Sequence, residues 1–151
     1  MKVLVIEDDI NKWKAISEFL STCDDIEFFR QSSYHSGMQA LMKDKYDLLL
    51  LDMSIPIYDV TARETGGRPL ALAGRDILFQ LRRRKILLQT IVVTQYEDFD
   101  GLSLHALDQE LQKEFPQLYT GFVYYNITQD EWKEKLAAIL DIKRSEGERN
   151  L

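Results

Sequence analysis

The sequence predicts a doubly wound α/β domain on a five-stranded parallel sheet, and three observations carry that expectation. Five short apolar runs alternate with stretches of helical periodicity, and a parallel crossover needs a helix between its strands. Two of the runs, Lys2–Ile6 and Tyr46–Leu51, are apolar at nearly every position, as strands buried on both faces must be. Polar residues close the runs abruptly: Glu7, Asp8 and Asp9 after the first, Asp52 after the third, Thr94 after the fourth, and Tyr125 with Asn126 after the fifth. In such sheets the carboxyl ends of the strands are where ligands bind.

The first strand is Lys2–Ile6. From Ile10 onward, Ile10, Trp13, Ile16, Phe19 and Leu20 recur at helical spacing with lysines and Glu18 between them, which predicts the first crossover helix. Residues 26–29 read as the second strand, and Ser36–Lys45 as a helix with Met38, Leu41 and Met42 on one face. The third strand carries four consecutive leucines, Leu48–Leu51, and belongs at the sheet centre. Breakers from 54 to about 73 predict an inserted loop, long for a compact domain. Gly74–Lys85 resumes as helix with Ile77, Leu78 and Leu81 inward; Ile91–Val93 is the fourth strand, Leu102–Phe115 a helix, and Tyr119–Tyr125 the fifth strand. A last helix is expected over Gln129–Lys143, with Thr128 as N-cap and Glu131 three residues on. Residues 1–144 thus form a single domain, and 145–151 a flexible polar tail.

Composition bounds the function. The chain has 151 residues, 45% hydrophobic and 29% charged, which suits one soluble globular domain, and no apolar stretch is long enough for a membrane span. The net charge of −6 disfavours nucleic acid. Arg82, Arg83, Arg84 and Lys85 form the one basic cluster, read as a solvated helix end. Cys23 has no disulfide partner, and with no secretory signal the expected location is the cytoplasm. His35 and His105 have no metal-ligand spacing, Trp13 and Trp132 sit in helical stripes, and Gly66, Gly67 and Arg68 mark a turn or partner-binding loop, with no phosphate-loop motif.

The acids are the chemistry-bearing feature. Carboxylates gathered at one sheet edge repel each other, an arrangement that a hard divalent cation neutralises. Mg²⁺ fits, held by one or two carboxylates, waters and phosphate oxygens, and Asp52 is then placed as a nucleophile toward a phosphoryl group.

An acidic pair after strand one (Glu7 and Asp8 in VLVIEDD), D-x-x-x-P after strand three (Asp52 to Pro56 in LDMSIP) and Thr94 in IVVTQY together resemble the receiver domains of two-component response regulators, over Lys2 to about Lys143. The resemblance implies the receiver version of the flavodoxin-like topology, with Asp52 as phosphoacceptor. It also implies Mg²⁺ held by Asp8, Asp52 and the Ser54 backbone carbonyl, with Glu7 acting through water, and Thr94 and Phe122 as the switch pair. Two positions depart from the family. Tyr125 and Asn126 stand where it has Lys-Pro, so the cation that grips a phosphoryl oxygen is missing, and a tyrosine hydroxyl supplies no charge in its place. Gln95 follows Thr94 where the family favours a small residue, placing bulk beside the acceptor.

The expected function is therefore a stand-alone receiver that accepts phosphate on Asp52 from a histidine kinase or phosphotransfer protein and signals in trans. Its expected signalling face is helix four, strand five and helix five, which also offers a homodimer surface. No enzymatic activity is expected beyond Mg²⁺-dependent self-phosphorylation and self-dephosphorylation. The alternative is a pseudo-receiver, a protein-interaction module not switched by phosphate. A haloacid-dehalogenase-type phosphatase is disfavoured because Ser54 replaces the second acid of D-x-D, and an FMN site because the loop after strand one is acidic.

Overall fold

The computed structural model describes residues 1–59 and 71–149. One parallel sheet contains β1 (Lys2–Ile6), β2 (Glu27–Gln31), β3 (Leu48–Leu51), β4 (Thr90–Thr94) and β7 (Tyr119–Tyr124), in the order β2-β1-β3-β4-β7. A two-stranded antiparallel hairpin, β5 (Asp98–Phe99) with β6 (Leu102–Ser103), precedes the fourth helix. The helices are α1 (Ile10–Ser21), α2 (Tyr34–Lys43), α3 (Ala73–Arg83), α4 (Leu104–Glu114) and α5 (Glu131–Arg149). The doubly wound α/β fold expected from the sequence is the one observed. The 54–73 insertion, with Gly66, Gly67 and Arg68, falls largely outside the described residues.

The sheet separates two cores. Leu4, Ile6, Leu49, Leu51 and Val92 face α2, α3 and α4, while Val3, Val5, Leu48, Leu50, Ile91 and Val93 face α1 and α5. This alternation is why β1 and β3 are apolar at consecutive positions: each face of a central strand meets its own helical layer.

Several boundaries differ from the sequence reading. Ser33 caps α2, its side chain accepting the Ser36 N–H while the Ser33 N–H donates to the Ser36 hydroxyl oxygen, so the helix starts at Tyr34, two residues before the expected Ser36. Ser103, closing the hairpin, caps α4. Thr128 does not cap α5: its N–H and hydroxyl both donate to the Asn126 side chain, and the helix starts at Glu131. The helix then continues to Arg149, past the end of the apolar pattern. Arg144 helps fix this segment, its guanidinium bidentate on Asp25 at 2.6 and 2.9 Å and reaching Asp141 at 2.7 Å. Ile10, expected on the inner stripe of α1, is 50% exposed.

Candidate phosphoacceptor site

The carboxyl ends of β1, β3 and β4 lie side by side, and parallel register brings the residues that follow them together. Ile6 pairs with Leu51 and Leu51 with Val92, so Glu7, Asp52 and Val93 lie in one row across three strands. The Asp52 N–H donates to the Ile6 carbonyl at 3.1 Å, continuing the ladder one step beyond β3. Carboxylate oxygens of Glu7, Asp8 and Asp52 all lie within 4.8 Å of one another.

Asp52 is 4% exposed. One of its oxygens, Oδ1, accepts the Ser54 N–H at 3.3 Å. The backbone beneath it is held by α3: the Gly74 N–H donates to the Met53 carbonyl at 2.9 Å, and a Cβ on Gly74 would fall 2.6 Å from the Asp52 carbonyl oxygen and 2.9 Å from Met53 Cα. Only a glycine permits this approach.

The pocket contains a buried cation, and it comes from α1: Lys12, 1% exposed, places Nζ 2.6 Å from Glu7 Oε2 and 3.3 Å from Asp52 Oδ2, and donates to the Val93 carbonyl at 2.7 Å. Its three N–H bonds thereby meet three acceptors on three adjacent strand ends. In the sequence Lys12 is one of the lysines between the apolar residues of α1. The signal that it points inward is its spacing, since Lys12, Ile16 and Leu20 fall at i, i+4 and i+8 and are the buried residues of that helix.

Glu7 is fully engaged, its other oxygen accepting the Asp9 N–H at 3.0 Å. Burial, then the nearby charge of Asp52, pushes its carboxyl up to about 8, against the opposing pull of Lys12. Asp8 is half-buried and raised for the same two reasons. Lys12 stays protonated, because Asp52 and Glu7 outweigh the cost of burying its charge. Three carboxyl groups crowd one ammonium, and the strain of their mutual repulsion is what a hard divalent cation relieves. Asp8 and Asp52, with the Ser54 backbone carbonyl, are the residues that would hold Mg²⁺. Glu7 is committed to Lys12 and the Asp9 N–H.

The remaining sequence candidates take distinct places. Thr94 is fully buried, its hydroxyl oxygen accepting the Tyr96 N–H at 3.1 Å. Gln95 turns aside, donating to the Tyr96 hydroxyl at 3.3 Å. Tyr125 is 6% exposed and packs its ring on Trp132, centroids 5.2 Å apart, within the core on the α1 and α5 side. It lines, with Lys12, Asp9, Gln95, Tyr124 and Asn126, a cleft of about 400 Å³. Phe122 is half-buried under the Lys135 ammonium, 4.2 Å from its ring centroid. His35 and His105 are exposed. In the basic cluster, Arg82 bonds the Glu114 carbonyl and lies 4.8 Å from the Phe115 ring centroid, a packing role.

Sheet order, strand-end acids and a buried aspartate after β3 define a receiver-type domain, and comparison with known proteins agrees. The chain is 32% identical over 146 residues to the Detocs response regulatory protein DtcB of Enterobacter cloacae, covering 90% of this chain and 95% of that one. It is 30% identical over 143 residues to the uncharacterized protein y4jR of Sinorhizobium fredii, covering 88% and 92%. No family model matches the sequence. Among solved structures, a response regulator receiver domain from Clostridium thermocellum superposes with a TM-score of 0.68 at 18% identity, over 99% of this chain and 98% of that one. The Francisella response regulator 1452 receiver domain gives 0.65 at 17%, over 97% and 98%. TrrA of Thermotoga maritima, solved with Mg²⁺ and beryllofluoride, gives 0.60 at 20%, over 91% and 96%. The chain belongs to the response-regulator receiver family.

Proposed function

We propose that this protein is a phosphorelay receiver in which Asp52 accepts a phosphoryl group from a histidine kinase or phosphotransfer protein, with Mg²⁺ as cofactor. The observation that carries the reading is the burial of Asp52 at a strand end with Asp8 and Glu7 grouped around it. A carboxylate oxygen of Asp52 attacks phosphorus; the new O–P bond forms as the donor's P–N bond breaks, and the leaving nitrogen keeps the electron pair and takes up a proton. Bound Mg²⁺ supplies charge neutralisation to the transferring oxygens. Ser54 N–H and Lys12 orient the carboxylate, and the buried Thr94 hydroxyl keeps its own proton for donation toward the acceptor pocket. Chemistry is confined to self-phosphorylation and self-dephosphorylation.

Signalling then runs in trans, by protein-protein contact through the α4, β7 and α5 face, which is also the surface proposed for a homodimer. Its site is proposed to be the cytoplasm. Among the described residues, no helix is long and apolar enough to cross a membrane.

The alternative, a phosphate-independent interaction module, is favoured by one observation: Lys12 already satisfies Glu7 and Asp52, so the pocket is held together without a phosphoryl group. Incubation with Mg²⁺ and phosphoramidate, read by intact mass, separates the two. The expected result is one added phosphoryl group, absent in Asp52→Ala. An unchanged wild-type mass at saturating Mg²⁺ supports the interaction module instead.

A further inference from the structure

We propose that Lys12 is the phosphoryl-gripping cation of this receiver: the charge absent from the end of the fifth sheet strand is supplied from the first helix. The inference rests on the phosphoacceptor reading of Asp52. The position that resembles the family's lysine is Tyr125, and its ring is spent on Trp132 in the core. Lys12 and Tyr125 line the same cleft, and the Lys12 ammonium lies 3.3 Å from Asp52 Oδ2, so a cation stands at the acceptor itself.

Burying an ammonium is costly until its partners offset it, so the identity of those partners bears on its role. The partners themselves are the reactive ones. Lys12 touches the acceptor carboxylate, one member of the acidic pair, and the carbonyl one residue before Thr94.

The Asp52 bond, at 3.3 Å, is the longest of the three. Conversion of Asp52 to an acyl phosphate removes its carboxylate charge and places new anionic oxygens beyond it. Lys12 then exchanges its Asp52 bond for one to a phosphoryl oxygen while keeping Glu7 and Val93. No bond to carbon or phosphorus changes in this exchange, and the ammonium keeps its protons.

The test compares wild type with Lys12→Met at saturating Mg²⁺. Phosphoramidate adduct formation, followed by intact mass, is expected to slow roughly 100-fold, the scale for removing one preorganised donor to a transition state. Mg²⁺ affinity by calorimetry is expected to rise, since a competing positive charge has gone. A scaffold lysine would not produce that opposite pair of changes. Adduct formation on the variant within about twofold of wild type, with wild type itself phosphorylated, overturns the role of Lys12 alone. No adduct on wild type overturns the phosphoacceptor reading beneath it.

Should the variant not fold by circular dichroism, wild type labelled with ¹⁵N-lysine answers the same question with Mg²⁺ and beryllofluoride as the probe. The buried Lys12 ammonium resonance, assigned by its loss in Lys12→Arg, is expected to move more than any other lysine signal. An unmoved resonance with beryllofluoride bound overturns the proposal.

Discussion

At the residue scale, Lys12 and Tyr119 show what a buried polar contact does and how visible it is from sequence. Glu7, Asp8, Asp52 and Thr94 were legible because each follows an unmistakable strand, and register then fixes their neighbours. Lys12 was hidden because side-chain reach is not a sequence pattern: its Cα lies on a helix, and only the i, i+4 stripe shared with Ile16 and Leu20 marks it as inward. Tyr119 was legible as a strand residue but not as a tether. Its hydroxyl donates to Asp108 of α4 at 2.6 Å, joining helix and strand. Burial, followed by the Asp108 hydrogen bond and charge, holds the phenol well above its usual range. An unfolded tyrosine ionises near pH 10, so above that pH the folded chain keeps a proton the unfolded chain has lost. This stabilisation is complete below about pH 10 and declines as pH rises further. Denaturant midpoints measured across the alkaline range are expected to fall with pH in wild type and to fall less in Tyr119→Phe. At neutral pH that variant is expected to lose about 1 kcal/mol.

At the element scale, helix and strand types follow from periodicity, whereas their ends follow from local hydrogen bonds. Ser33 and Ser103 start α2 and α4 at positions an apolar stripe does not mark, and Thr128 has a capping sequence but spends it on Asn126. The start of α3 is the most constrained. Gly74 lies against the Asp52–Met53 backbone, so a methyl group there has no flexible side-chain tip to push aside except Met53 Cε, at 2.7 Å. Gly74→Ala is expected to cost about 1–3 kcal/mol in urea unfolding, the range for overpacking a filled site. It is also expected to slow Asp52 phosphorylation, because the displaced atoms belong to the acceptor's own backbone. Gly37 is a milder case, since its nearest neighbour is the movable Ile6 Cδ1.

At the scale of the whole molecule, the sheet order and its two cores were legible from the alternation of apolar runs with helical stripes. The β5–β6 hairpin was not, because two-residue strands carry no period. The crowding of carboxyl groups at the sheet edge couples the site to global stability. Mg²⁺ binding only the folded chain is expected to raise stability by about 2.7 kcal/mol at a concentration 100 times its dissociation constant. Thermal melts with and without Mg²⁺ check this, and the gain is expected to shrink in Asp8→Ala. Equal gains in wild type and Asp8→Ala would place the bound ion elsewhere.

The hydroxyl of Thr94 is the acceptor for the Tyr96 amide in the resting molecule. If Thr94 is the switch hydroxyl proposed above, a rotation toward an occupied acceptor that breaks this bond would cost about 1 kcal/mol, a neutral bond acting as a latch. Such a latch weights the two populations by only about fivefold. Tyr96 is 44% exposed. One backbone amide thus joins a surface aromatic residue to a hydroxyl that no solvent reaches.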